Sequence, residues 1–115
     1  MSRRAQLELL AGSLEQLVAM LRLDPACQWR AHFESSLQRA RDLLESDFSQ
    51  DDLSGFSASV MHVFGAAGSF NDYAPVIYDS ATGRCSGIPG MDGFEHVSSR
   101  VYDQALSLRV VDPVA

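Results

Sequence analysis

Over residues 3–23, Leu7, Leu10, Leu14, Leu17, Val18 and Leu21 recur at steps of three and four, with charges opposite. That period predicts an amphipathic helix with one buried face. Gly12 and Ser13 lower its helix propensity without breaking the stripe. A second stripe, Trp29, Phe33, Leu37, Ala40 and Leu44, predicts a helix from Asp24-Pro25 to about Ser46. At its start Asp24 can accept from unpaired amides, and proline suits the first helical position. So short a connection makes the first two helices antiparallel neighbours.

Ser49, with Asp52 three residues on, predicts a capping box at the head of a third helix. Its apolar face is Leu53, Phe56, Val60, Val63, Phe64 and Ala67, and Gly68 suits a left-handed residue after a stop near Ala67. Beyond that point the helical period is lost. Tyr73 to Tyr78 is aromatic and β-branched enough for a strand, Asp79 to Gly83 reads as a turn, and Arg84 to Ile88 can return as a partner strand. Asp92 and Glu95 signal a fourth helix carrying Phe94, Val97, Val101, Ala105 and Leu108. Val110 to Pro113 then leaves it as an extended tail. The expected fold is mainly α: one compact four-helix domain over residues 1–115, with a small irregular or β-hairpin insertion between helices 3 and 4. Such a chain is long enough for one hydrophobic core without metal or disulfide support.

Charge narrows the class of partner. The formal net charge is −6 and every basic residue other than histidine is arginine. Residues 1–48 nearly balance, whereas 49–115 carry eight acids against Arg84, Arg100 and Arg109. An acidic surface repels phosphate backbones, which argues against nucleic acid and for a basic protein partner. Cys27 and Cys85 are far apart and lack metal-ligand spacing, so two free thiols in a reducing cytosol are expected. Arg3-Arg4 is reminiscent of an export signal, but Glu8, Glu15 and Gln16 interrupt the apolar run that should follow it. No stretch reaches the roughly 18 apolar residues of a membrane span. The expected location is cytoplasmic.

The groups that could do chemistry are scattered. His32, His62 and His96 lie on separate predicted helices, and a metal site from Asp92, Glu95 and His96 competes with capping at a helix start. Ser69, His62, Asp72 and Cys85 are ingredients of a hydrolase without the spacing of one. Gly65 to Gly68 lacks the lysine and the ending of a phosphate loop. We therefore assign no catalytic residue, metal or cofactor at this point. A small enzyme or ligand-binding domain would need His62, Asp72 and Cys85 to meet in a pocket under the 68–92 loop. A self-associating helical module is a third class.

The segment after helix 3 has two compatible readings. Gly65, Gly68, Ser69 and Asn71 can build a tight turn in which Asx side chains satisfy the backbone. Phe70, Asp72, Tyr73, Tyr78 and Asp79 can form a partner-binding patch of aromatics ringed by acids. A second acidic surface, Glu45, Asp47, Asp51 and Asp52, sits at the helix 2–3 corner.

A helix running into Gly68-Ser69-Phe70-Asn71-Asp72 resembles a family of small uncharacterised bacterial proteins whose third helix ends in a Gly-rich stretch and a motif of this type. This chain has Ala66-Ala67 where a further Gly or Met is expected. Some members are immunity-like, encoded beside secreted antibacterial toxins. The resemblance implies a binding protein, an antitoxin occluding a basic site of a cognate toxin domain, with no catalytic residue to carry over.

Overall fold

The computed structural model describes residues 2–65 and 69–109. Its elements are α1 (Arg3–Leu21), α2 (Arg30–Leu44), α3 (Gln50–Met61), a 3-10 turn (Phe70–Asp72), β1 (Val76–Asp79), β2 (Arg84–Gly87) and α4 (Phe94–Ser107). Four helices with an antiparallel hairpin between α3 and α4 is the architecture expected from the pattern. The predicted Gly68 stop, together with Ala66 and Ala67, and the tail from Val110 lie outside the described residues.

Helix ends show how the bundle runs. Arg3 Nη1 donates to the Ser107 carbonyl at 3.0 Å, and Arg4 Nη1 to the Leu44 carbonyl at 2.6 Å. Gln50 Nε2 donates to the Leu108 carbonyl at 2.7 Å. The starts of α1 and α3 thus lie beside the ends of α2 and α4, an up-down-up-down bundle. The paired arginines work as C-terminal caps, supplying donors to carbonyls left without an intrahelical partner. Each helix packs on two others: α1 on α2 and α4, and α3 on α2 and α4. Much of the core comes from the predicted stripes: Leu7, Leu10, Leu14, Leu17, Leu21, Phe33, Phe56, Val60, Val101, Ala105 and Leu108 are essentially inaccessible, whereas Trp29, Leu44, Val63 and Phe64 are only partly buried.

Three helix boundaries differ from expectation, each because a tertiary partner competes with the local signal. The second helix begins at Arg30, not at Pro25, and Cys27 falls in the turn before it. Asp24 does not cap it: Oδ1 accepts from Ala26 N in a tight turn, and Oδ2 accepts from the Tyr73 hydroxyl at 2.6 Å. The third helix has its capping box, Ser49 with Asp52, but ends at Met61. The carbonyls of Val63 and Gly65 are taken by Phe70 N at 2.8 Å and by Asn71 Nδ2 at 3.1 Å. The fourth helix is preceded by Gly93, left-handed at φ 79, with no side-chain cap from Asp92. Met91 to Phe94 closes instead as a turn whose third position needs positive φ.

A candidate partner-binding hairpin

The α1–α2 connection, residues 62–65 and 69–75, and the 88–93 return share one end of the bundle. Rings pack there around Phe70, which is 2% exposed. Its ring meets those of Phe33 at 4.8 Å, Phe64 at 5.4 Å, Phe94 at 5.9 Å and Trp29 at 6.1 Å. Tyr73 stacks on it at 5.9 Å with planes 10° apart. Residues i and i+3 of a 3-10 turn eclipse each other, which is why both rings leave the turn on one side. Ser69 Oγ accepts from Asn71 N at 3.3 Å to cap that turn. Asn71 Nδ2 in turn donates to the Gly65 carbonyl at 3.1 Å.

This corrects part of the predicted patch. Phe70 is a core residue, and Tyr73 is half-buried with its hydroxyl spent on Asp24, so neither is a free anchor. The side chain of Asp72 lies outside what the structure describes. Tyr78 and Asp79 are exposed, Tyr78 at 65%.

Burial first, then the hydrogen bond to the Asp24 carboxylate, pushes the Tyr73 phenol well above its ordinary value. The folded chain keeps this proton when the unfolded chain releases its own near pH 10. The contribution of Tyr73 is therefore fully present below about pH 10 and declines as pH rises further. The chain has no lysine to obscure that window. We expect Tyr73→Phe to cost about 1–2 kcal/mol at neutral pH. The gap to the parent protein should narrow above about pH 10, read from urea midpoints across the range. A gap that stays constant would remove the phenol–carboxylate tie as a stabilising contact.

Beyond Pro75 the chain leaves the bundle. Val76 pairs with Gly87, Ile77 with Ser86, Tyr78 with Cys85 and Asp79 with Arg84. The turn between the strands is held by Gly83 N donating to the Asp79 carbonyl at 2.8 Å and Ala81 N donating to Asp79 Oδ1 at 2.9 Å. Among the described residues neither strand comes within 8 Å of a helix, Cα to Cα. All eight strand residues are exposed, including Val76 and Ile77 at 44% and 54%. Sequence reading missed these two as site residues. The signal was there: three successive large apolar residues opposite the polar or small Arg84 to Gly87 cannot all be covered by a two-stranded ribbon.

Val76 and Tyr78 share one face of this ribbon, while Ile77 and Asp79 share the other. Beside Pro75, where the chain enters the hairpin, is an open groove of about 690 Å³, also lined by Met91, Phe94, Asp92, Glu95 and His96 among others. A second, of about 450 Å³, lies between α4 and Phe64, Gly65 and Asn71, and a third, of about 330 Å³, beside Cys27 and Tyr73. Neither His62 nor Cys85 lines any of the three. Among the described residues no three His, Cys, Asp or Glu side chains group as metal ligands. Both cysteines are free, Cys27 half-buried and Cys85 exposed. No helix among the described residues is long and apolar enough to cross a membrane.

The fold and site together define a small up-down helix bundle that holds out a β-hairpin at one end. The chain belongs to the family of the domain of unknown function DUF6966, whose model matches residues 22–82. That match covers α2, α3, Phe70 with every ring packed on it except Phe94, and β1 with most of its turn. No curated protein and no solved structure matches the chain.

Proposed function

We propose that this protein acts by binding, as an immunity-type inhibitor that occludes a basic site on a cognate bacterial toxin. The observation that carries the reading is Tyr78, exposed between Ile77 and Asp79 on a hairpin that no helix among the described residues supports. Apolar side chains held away from their own core gain by burial against something else, at roughly 25 cal/mol per Å². Aromatic anchors in such patches tend to supply much of the binding energy. Asp79 at the end of β1, and Asp92 and Glu95 on the groove beside Pro75, add negative charge. That charge favours a basic partner and raises its association rate. The acidic corner at Glu45, Asp47, Asp51 and Asp52 lies at the opposite end of the bundle, where α2 ends and α3 begins. It is the second surface to vary.

The test is co-expression with the product of the neighbouring reading frame. Tyr78→Ala combined with Ile77→Ser should abolish protection against a toxic neighbour while leaving the melting temperature unchanged. Full protection by this double variant would move the interface to the acidic corner, where charge reversal of Asp47 and Asp51 should then remove it. The catalytic alternative is favoured less because His62 and Cys85 line none of the grooves near the loop.

A further inference from the structure

We infer that the partner is taken by sheet extension, with a strand of a basic protein pairing along the open edge of β1. This rests on the reading of the hairpin as a docking element and specifies how it grips. Ile88 N donates to the Pro75 carbonyl at 3.0 Å, which makes that pair a hydrogen-bonded one. Antiparallel ladders alternate, so Ile77–Ser86 and Asp79–Arg84 also point their backbone groups at each other. The backbone groups of Val76 and Tyr78 therefore point outward from β1. Val76 N turns back to the Ala74 carbonyl at 2.9 Å. The N–H and C=O of Tyr78 and the C=O of Val76 remain as a ladder edge facing solvent.

Exposed edges are ordinarily blunted by proline, a bulge, a charge or a covering element. From Val76 to Tyr78 there is no proline or charge, the register is unbroken, and among the described residues no helix approaches. The β2 edge differs. Cys85 and Gly87 face outward there by the same alternation, so a strand added to it would bury little apolar surface. A strand on β1 would lie along Val76, Ile77 and Tyr78. It would also convert a ribbon of marginal stability in water into a three-stranded sheet.

Charge decides the occupant. A second copy brings another −6 and a second Asp79 into the same short ladder. A lysine- or arginine-flanked strand meets Asp79 favourably.

The probe is a short peptide of alternating lysine and valine, with a control N-methylated at every other amide. We expect the unmodified peptide to bind the full chain and to slow hydrogen exchange at the Tyr78 amide. The methylated copy should bind about tenfold or more weakly, the equivalent of one ladder hydrogen bond. Tyr78→Pro should abolish binding, whereas Cys85→Pro, which blocks the β2 edge in the same way, should leave it intact. Equal binding of both peptides, with Tyr78→Ala weakening each, would overturn the ladder while leaving the docking role in place. No binding of either peptide also overturns sheet extension, and the docking role then rests on the co-expression result alone. A concentration-dependent dimer that Tyr78→Pro dissociates would overturn the basic occupant.

Discussion

Replacing Phe70 by alanine is expected to lower stability by about 3–5 kcal/mol, as for a fully buried ring whose site collapses only partly. A domain of this length holds roughly 6–17 kcal/mol in all. Urea unfolding should show a midpoint moved far down at nearly constant slope. The size of the effect follows from position: Phe70 meets Trp29, Phe33, Phe64, Tyr73 and Phe94, so its loss leaves a void bounded by α2, the α3 exit and the head of α4. Tyr78→Ala, an exposed residue on the same chain segment, should stay within about 0.5 kcal/mol of the parent. A mild Phe70→Ala phenotype would mean that the aromatic cluster does not knit the hairpin base to the bundle. The contrast matters for reading any binding experiment. Phe70 variants lose partners by unfolding, while Tyr78 variants can lose them only through the surface.

Those two aromatics also show where sequence reading stops. The faces of α1 and α4 were legible because a period of 3.6 is an intrinsic property of each segment: every stripe residue from Leu7 to Leu21 and from Phe94 to Leu108 is buried as expected. The hairpin was legible too, since turn residues and β-branched runs are local signals. Helix ends were less so. Asp24 looks like a helix cap and works as the acceptor of a phenol far along the chain. Val63 and Phe64 continue the stripe of α3, yet the Val63 carbonyl is taken by the returning Phe70 amide. A competitor that distant leaves no trace in the local pattern.

The inward turn of Phe70 and Tyr73 was hidden for the same reason. Phe70, Tyr73 and Tyr78 have similar neighbours in sequence, rich in Asx and acids. Which ring folds under depends on the bonds that Phe70 and Asn71 make back to Val63 and Gly65. The spacing of Phe70 and Tyr73 held part of the answer. Three residues apart in a tight turn, they had to point the same way, and a Ser-capped turn packed on a helix end points both inward.

Excising residues 76–87 and joining Pro75 to Ile88 through Asn-Gly is expected to leave the bundle folded and to eliminate partner binding. The join is geometrically prepared: Ile88 N already donates to the Pro75 carbonyl at 3.0 Å, and a hydrogen-bonded antiparallel pair is what a two-residue Asn-Gly turn closes. Ile88 and Met91, both buried, would still anchor the return to α4. The strands give nothing to the core, so the thermal midpoint should change by an amount equivalent to less than about 1 kcal/mol. Shortening the loop would offset part of even that by reducing closure entropy. Retained binding in the shortened chain would place the interface on the helices. A collapse in stability would instead show that the hairpin supports the ring cluster from outside.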